Sequence, residues 1–296
     1  MKTTIIHHSA DFDGLFCREI AKKFLPDAEV IGWDHGDAKL PFPAEGKVYV
    51  LDLSPNCFQS TPLDTLDRLI WIDHHKSAIE DWPTNIPGYR IDGVAACRLA
   101  WQWFLKEWRD AMGMIWLLPD KLQFVERLVT EPLAVRLAGE YDVWDKRDPD
   151  AEVFQFALRS QPLADKDWAE MLGCDLPGVP GIVCYLMQNG RLLQGYQWAQ
   201  DASVVNYRSF IMEFAGLKFL TLNTARCNSL TFAAKDVPET GHDALCGFYW
   251  TGQKWKVSLY HAQHRTDMDL STIAAANGGG GHRGACGFTA EILPWL

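Results

Sequence analysis

Three short stretches of this sequence concentrate residues that can bind cations. They are HHSADFDG, VYVLDLS and WIDHHKS, which begin at positions 7, 48 and 71. Carboxylate oxygens mixed with imidazole nitrogens suit divalent ions such as Mn²⁺, with Mg²⁺ or Co²⁺ as alternatives. Two such ions can share one carboxylate, activate a water molecule and hold both oxygens of a phosphoryl displacement. The residue types therefore indicate hydrolytic chemistry with two metal ions.

Each of these stretches follows an apolar run that predicts a β-strand. The predicted strands are Thr3–His7, Lys47–Leu53 and Leu69–Ile72, and the predicted helices between and after them are Leu15–Leu25, Gly93–Trp108 (with Asp92 as its N-cap) and Leu122–Ala138. This alternation predicts an α/β domain whose largely parallel sheet carries helices on both faces. Ligands of such sheets bind beyond the carboxyl ends of the strands. The strands would thus deliver the clusters to one edge.

Each acidic residue also has an ordinary structural explanation. Asp52 could form a turn before Ser54-Pro55, and Asp11 or Asp13 could cap the helix that begins near Gly14. A single histidine is more often a hydrogen-bonded polar residue than a ligand. A fourth stretch, AGEYDVWD, places Asp142 and Asp145 just beyond a predicted helix. Taken together, the ordinary explanations therefore require four coincidences at one edge of one sheet, so a metal centre is favoured.

The pattern changes in the second half of the chain. A Gly/Pro-rich break, LPGVPG (176–181), precedes a predicted long helix, Cys184–Phe214. Strands at 217–224, 244–250 and 254–262, with short helices near Ser229–Lys235 and Asp269–Asn277, then predict a smaller α+β domain. We therefore expect a catalytic metal-binding domain (1–183), a helical connector (184–214) and a substrate-binding domain (215–296).

Composition restricts the partners. The 296 residues carry a formal net charge of −10, which is unsuited to gripping a long polyanion and leaves no basic track for one. No apolar run has the length of a signal peptide or membrane span, and the eight cysteines lack the close pairing of zinc sites. We expect a cytoplasmic protein with core thiols and no membrane association, for which a homodimer is an acceptable state.

The ordered motifs resemble those of the DHH phosphoesterase superfamily. HHSADFDG, VYVLDLS, WIDHHKS, EYDVW and, near the C-terminus, GGGGHRGACGF occur in the family's order and span nearly the whole chain. The resemblance is to the branch with a C-terminal DHHA1 domain, which includes nanoRNases and related cyclic-dinucleotide and 3′,5′-bisphosphate phosphatases. It implies a manganese-dependent hydrolase with the two-domain architecture outlined above.

The resemblance also implies roles for individual residues. His7 and Asp11 would hold one ion, Asp13 the other, and Asp52 would bridge both. His74 and Asp142 would complete the second site, His75 would lie beside the substrate or the attacking water, and Asp73 would orient its neighbours. Two alternatives stay open: His8 could replace His7, because adjacent strand residues face opposite sides, and Asp145 could replace Asp142.

The glycine-rich ending predicts a site for the rest of the substrate. The glycines leave backbone N–H groups unshielded, and the following basic side chains can bind phosphate. The predicted substrate contacts are Gly279, Gly280, Gly281, His282 and Arg283, with Arg265 as a further candidate. A flexible glycine hinge and an exposed arginine before a helix are the structural alternatives.

These features predict hydrolysis of short oligonucleotides or dinucleotides to nucleoside monophosphates. A phosphatase of 3′,5′-bisphosphate nucleotides and a cyclic-dinucleotide phosphodiesterase are the nearest alternatives. An inorganic pyrophosphatase ranks lower because that branch lacks the glycine-rich ending. A nucleotide-binding sensor of the same fold is the alternative without catalysis.

Overall fold

The computed structural model describes residues 2–34, 37, 42–53, 67–81, 86–162, 166–173 and 181–295. They form two compact units, Met1–Leu193 and Gln194–Leu296. The division falls inside one long helix, Ile182–Arg208, and not at the predicted borders of a separate connector. Only Gly181 of the predicted LPGVPG break lies within the described residues, and Ser54-Pro55 lies outside them.

The first unit contains a five-stranded parallel sheet. Its strands are β1 (Thr3–His8), β2 (Glu29–Trp33), β3 (Lys47–Leu51), β4 (Leu69–Asp73) and β5 (Gly88–Arg90), in the spatial order β2-β1-β3-β4-β5. The chain moves from β1 to one side and returns to the other, so the strand order reverses between β1 and β3. Such a reversal opens a crevice at the carboxyl ends of the strands.

Helices lie on both faces of this sheet, as the sequence predicted. From the N-terminus to the helix that passes into the second unit, the helices are α1 (Phe12–Phe24), α2 (Lys76–Asp81), α3 (Ala96–Ala111), α4 (Lys121–Val125), α5 (Leu133–Asp142), α6 (Asp150–Arg159), α7 (Trp168–Met171) and α8 (Ile182–Arg208). The predicted helix Leu122–Ala138 is in fact two helices, α4 and α5. Pro132 stands at the N-cap of α5, and a proline favours the start of a helix over its interior.

Alternation along the strands produces two apolar layers. Ile5 and Ile72 point into the larger layer, which α1, α3 and α5 cover, while Ile6 and Trp71 point to the opposite face with Ala78 of α2. All of these side chains are buried, and burial of each larger one contributes about 1.5–3 kcal/mol of hydrophobic stabilisation. Both faces of the sheet are therefore anchored, which makes its carboxyl edge a rigid platform.

The second unit contains a six-stranded mixed sheet. Its strands are β6 (Phe210–Phe214), β7 (Leu217–Asn223), β8 (Ala244–Trp250), β9 (Trp255–His261), β10 (Gly280–His282) and β11 (Ala285–Ala290), in the order β10-β11-β9-β8-β7-β6. Two short 3₁₀ helices, Ser229–Phe232 and Pro238–Thr240, lie between β7 and β8, and α9 (Ser271–Ala276) precedes β10. The α+β architecture predicted for the second domain is confirmed.

One predicted boundary in this unit is wrong. The long helix ends at Arg208 and does not continue to Phe214, because 210–214 forms β6, a strand paired with β7. A tight connection makes this pairing possible, since Ala215 and Gly216 both adopt left-handed backbone conformations.

Two further expectations concerned thiols in the core and membrane association. All of the cysteines in the described ranges are free; Cys17, Cys97, Cys246 and Cys286 are buried, whereas Cys184 is exposed. Among the described helices, none combines the length and apolar character needed to cross a bilayer.

Candidate metal centre

Asp52 occupies the central position at the carboxyl edge of the parallel sheet. It follows β3 directly, and its backbone N–H donates to the carbonyl of Ile72 at 2.9 Å, which ties it to β4. Its φ of 58° is left-handed, a conformation that aspartate tolerates better than most residues. Only 3% of the residue is exposed, so a carboxylate is held in the interior by backbone geometry.

One group of ligand atoms forms where β1 meets α1. The Nδ1 atom of His8 lies 2.9 Å from Oδ2 of Asp11 and 3.4 Å from Oδ2 of Asp52. Asp11 also caps α1, because its Oδ1 accepts from the N–H of Gly14 at 3.0 Å. Position 14 requires a glycine, because a Cβ there would lie 2.1 Å from the carbonyl oxygen of His8. Asp11 thus combines the capping role with a place in the cluster.

A second group surrounds His74. Its Nε2 atom lies 3.4 Å from Oδ1 of Asp52, 3.4 Å from Oδ2 of Asp142 and 3.6 Å from Oδ2 of Asp13. Asp52 therefore presents one oxygen to each group, which is the arrangement that a carboxylate shared by two ions requires.

Asp13 is held in position by the first turn of α3. Its two oxygens accept hydrogen bonds from the backbone N–H groups of Ala96 and Cys97, at 2.8 and 2.7 Å. These N–H groups belong to the first turn of α3, which has no side-chain cap of its own. The predicted N-cap, Asp92, is therefore wrong, and Asp13 from α1 satisfies the helix terminus instead.

His75 and Asp73 form a supporting pair. Oδ1 of the fully buried Asp73 lies 2.6 Å from Nδ1 of His75 and accepts from the backbone N–H of His74 at 2.8 Å. The side chain of His75 is about one-third exposed (33%). Asp73 thus orients the imidazole while the ring keeps access to solvent, which is the geometry that the predicted roles need.

The structure places His8, and not His7, in the cluster. His7 is 2% exposed, and its Nδ1 lies 2.7 Å from the carbonyl oxygen of His8. The two side chains face opposite sides of β1, as adjacent strand residues must. The preference for His7, which rested on its spacing to Asp11, is corrected accordingly.

Of the two candidate aspartates, Asp142 lies beside the group around His74. Asp142 is the last residue of α5 and faces His74, whereas Asp145 is paired with Arg147, whose Nε lies 2.8 Å from Oδ1. Asp145 is thereby directed away from the group. Asp142 is the last residue of α5, whereas the predicted helix ended at Ala138 and left Asp142 beyond it.

The histidines balance the buried carboxylates. Burial acts to lower the pKa of His8, but hydrogen bonds and the charges of Asp11 and Asp52 raise it to about 11. Burial also acts to lower the pKa of His74, but Asp52 and Asp13 raise it to about 10. Burial acts to raise the pKa of Asp52, yet the two histidines hold it below its usual range. A divalent cation that bound here would replace these imidazole protons.

Crowded negative charge has the opposite effect on the remaining carboxylates. Burial and the charge of Asp52 raise the pKa of Asp13, and burial and the charge of Asp13 raise that of Asp142. Together with the imidazoles, these carboxylates form a donor set of the type that binds Mn²⁺, Mg²⁺ or Co²⁺. The ligand atoms of His8, Asp11 and Asp52 lie within 4.8 Å of one another, and so do those of Asp13, His74 and Asp142. The residues present therefore fit two divalent ions that share Asp52.

One acidic residue at this edge was missed by the sequence analysis. Asp34 follows β2 directly, and its Oδ1 lies 3.4 Å from Nε2 of His8. The stretch VIGWD shows the same signal as the other motifs, an apolar run that ends in aspartate. It was missed because 29–33 was not predicted as a strand.

The predicted glycine site lies at the edge of the second sheet. Residues 278–281 line an open groove of about 520 Å³, together with Lys256 and Ser258 of β9. β10 pairs only with β11 among the described strands, so its outer backbone groups are not used by the sheet. Lys256, which the sequence analysis did not select, adds a cation to this groove.

The predicted basic contacts have structural partners. The guanidinium of Arg265 binds Asp243 at 2.8 Å and Asp267 at 3.1 Å, and that of Arg283 donates to the backbone carbonyls of Asp267 and Met268. His282 is exposed on β10. Both arginines hold the 267–268 segment, so their predicted contact with substrate stays a prediction.

Comparison with known proteins yields similarity in structure only. No family model and no curated protein matches this chain. The DHH domain of a member of a ribosomal-protein family is 14% identical, with a TM-score of 0.55, over 98% of this chain and 82% of that one. A pGpG-specific phosphodiesterase from Vibrio cholerae, PggH, is 13% identical, with a TM-score of 0.51, over 99% and 94% of the two chains.

A third solved structure completes the comparison. Exonuclease RecJ bound to manganese is 14% identical, with a TM-score of 0.51, and covers 98% of this chain and 86% of that one. At these identities the similarity establishes the fold. The α/β fold expected from the resemblance to the DHH superfamily is therefore confirmed.

Proposed function

We propose that this chain, which has the fold of DHH-domain proteins, is a phosphoesterase that depends on divalent metal ions. The single observation that carries the proposal is the position of Asp52, whose two oxygens face His8 and His74 in two separate groups of ligands. A buried carboxylate with an acidic group on either side is costly unless cations compensate its charge. A structural turn or cap has no need of this arrangement.

The side chains divide the work of such a site. When bound, two divalent ions would acidify a water molecule and stabilise negative charge on the phosphoryl oxygens. Asp11 and His8 would hold one ion, Asp13, His74 and Asp142 the other, and Asp52 both. His75, oriented by Asp73, can exchange a proton with an oxygen of the substrate or solvent.

A short nucleotide is the substrate that we infer. PggH acts on pGpG, a linear dinucleotide, and its similarity covers nearly the whole of both chains. The net charge of −10 disfavours long polyanions, whereas the glycine-lined groove with Lys256 suits one terminal phosphate. We therefore propose hydrolysis of linear dinucleotides or short oligonucleotides to nucleoside monophosphates, with Mn²⁺ as the preferred ion.

The test is a parallel assay of four substrates with Mn²⁺: a labelled linear dinucleotide, a cyclic dinucleotide, a 3′,5′-bisphosphate nucleotide and pyrophosphate. We expect the linear dinucleotide to be cleaved fastest. The matched control is Asp52→Asn, which removes one carboxylate but tolerates the left-handed backbone, and it should lower the rate by about 10³-fold or more. Equal release by both proteins would reject the assignment, and tight binding without turnover would identify a sensor.

A further inference from the structure

A second cluster of potential metal ligands lies in the other unit and takes no part in the proposed reaction. It consists of Asp236, His242 and His264, each of which offers one ligand atom within 4.8 Å of the others. Asp236 follows the first 3₁₀ helix, His242 lies just before β8, and His264 lies just after β9. Two connections of the second sheet, β7–β8 and β9–β10, thus meet at one point.

The distances within the cluster fit a small cation. Oδ1 of Asp236 lies 3.0 Å from Nε2 of His242 and 3.8 Å from Nδ1 of His264. Tetrahedral zinc has bonds of about 2.0–2.1 Å to nitrogen and oxygen, which places neighbouring ligand atoms about 3.3 Å apart. The side chains of Asp236 and His242 are 1% and 0% exposed, so the two principal donors are shielded from water.

Nε2 of His242 is within hydrogen-bond distance of Oδ1 of Asp236, and the hydrogen bond of the His264 ring determines which of its nitrogens faces them. Nε2 of His264 lies 2.9 Å from the carbonyl oxygen of His242, which can only accept, so this nitrogen carries the proton. In the neutral ring Nδ1 then presents its lone pair toward Asp236. That Nδ1 atom is buried and has no hydrogen-bond partner in the described part of the chain.

The carboxylate is oriented in a similar way. The backbone N–H of Gln263 donates to Oδ2 of Asp236 at 3.1 Å and, more weakly, to Oδ1 at 3.4 Å, while Oδ1 lies between the two rings. Metal-binding histidines typically donate their second N–H to a carbonyl, and metal-binding carboxylates are themselves hydrogen-bonded. His264 and Asp236 follow this pattern, whereas Nδ1 of His242 is buried without a hydrogen-bond partner among the described residues. With a neutral His264 ring, a simple Asp236–His242 hydrogen bond would leave the lone pair of His264 Nδ1 facing a carboxylate oxygen with nothing between them.

We propose that Asp236, His242 and His264 bind one first-row transition metal ion, with Zn²⁺ as the ion that this donor set favours. Zinc accepts mixed imidazole and carboxylate ligands, and the side chain of His264 is 21% exposed, so solvent can complete the coordination. The ion joins the connection between β7 and β8 to the end of β9. It also anchors the neighbouring Asp243–Arg265 ion pair, whose atoms are 2.8 Å apart.

The test measures zinc in a full-length chain whose first centre is disabled by Asp52→Asn and Asp142→Asn. After dialysis against metal-free buffer, we expect inductively coupled plasma mass spectrometry to detect about one zinc ion per chain. Adding His264→Ala should lower the zinc content at least tenfold, while the control His282→Ala, an exposed histidine of the same unit, should retain it. No zinc in the parent chain, or equal zinc with His264→Ala, would overturn the proposal.

A second substitution distinguishes loss of the metal site from misfolding of the alanine variant, because it produces a spectroscopic signal when the ion binds. His264→Cys, in the same background, places a thiolate next to the proposed ion. With Co²⁺ we expect a thiolate-to-cobalt charge-transfer band that the parent chain lacks. Absence of the band in a His264→Cys protein that retains the parent's circular dichroism would refute the site.

Discussion

Adjacent residues with the same side chain have different environments at the end of β1. His8 contacts Asp11 and Asp52, whereas His7 is buried on the other face, near Arg18 and Glu19, with its Nδ1 2.7 Å from the carbonyl oxygen of its neighbour. The difference follows from the two-residue period of a strand, which turns every second side chain to the other face. The residue type alone therefore does not identify a metal ligand; the face of the strand that the histidine occupies determines whether it can bind the ion.

Replacing these two histidines separately should produce opposite results. His8→Ala removes a ligand, so we expect Mn²⁺-dependent hydrolysis to fall by about 10²-fold or more with little change in the melting temperature. His7→Ala leaves a buried void and should cost about 1–3 kcal/mol of unfolding free energy while the folded enzyme stays active. Activity and thermal unfolding of both variants measure this, and equal loss of activity would contradict it.

The two candidate aspartates near the end of α5 offer a second matched pair. Asp142 faces His74, but Asp145 is engaged by Arg147 at the surface. We expect Asp142→Asn to reduce hydrolysis and Mn²⁺ affinity by about 10²-fold or more, and Asp145→Asn to change either by less than about threefold. Titration with Mn²⁺ under steady-state conditions checks this; a larger effect of Asp145→Asn would reverse the assignment.

At the scale of elements, helices position the ligands as much as strands do. Asp13 lies in α1 yet satisfies the first turn of α3, and Asp142 is the final residue of α5. The carboxylate of Asp13 is favoured there by the free N–H groups and the dipole of the helix. Three helices and three strands thus fix the cluster, which restricts the freedom of each side chain.

The glycine-rich segment separates a packing requirement from a binding requirement. A Cβ at Gly279 would lie 2.1 Å from the carbonyl oxygen of Gly287, whereas one at Gly280 meets nothing within 4 Å. We expect Gly279→Ala to lower the melting temperature, because β11 must move. Gly280→Ala should leave stability unchanged but raise KM for a dinucleotide several-fold, because the methyl group obstructs the approach of a phosphate to the backbone.

Thermal unfolding and steady-state kinetics of the two glycine variants distinguish these effects. Unaltered KM and stability in Gly280→Ala would indicate that the glycine run serves only the packing of β10 on β11. The prediction that this groove binds substrate would then be wrong.

At the scale of the whole molecule, metal binding should contribute to stability as well as to activity. Removal of metal leaves the buried carboxylates of the first centre to repel one another. We expect chelation to abolish hydrolysis and added Mn²⁺ to restore it. An ion present at a hundredfold excess over its Kd contributes about 2.7 kcal/mol to the folded state.

The melting temperature should therefore rise when Mn²⁺ is added to the chelated protein. The control is the Asp52→Asn, Asp142→Asn chain, in which this rise should largely disappear. An equal rise in both proteins would mean that Mn²⁺ stabilises the chain somewhere other than at the proposed centre.

Local patterns in the sequence determined much of this molecule. Apolar runs predicted β1, β3 and β4, and the aspartates that follow them pointed to one edge of a parallel sheet, because both signals depend only on neighbouring residues. The glycine-rich ending likewise indicated an unusual backbone. The three-residue strand β5 left no comparable signal, and the apolar run of β2 was overlooked although it also ends in an aspartate.

Only the tertiary structure decided which side chains meet. It selected His8 over His7, brought Asp13 to the start of α3, added Asp34 and joined Asp236, His242 and His264 across two connections. Each of these outcomes depends on which face of an element a residue occupies or on contacts between distant segments. Such information arises when elements pack, so no local pattern could contain it.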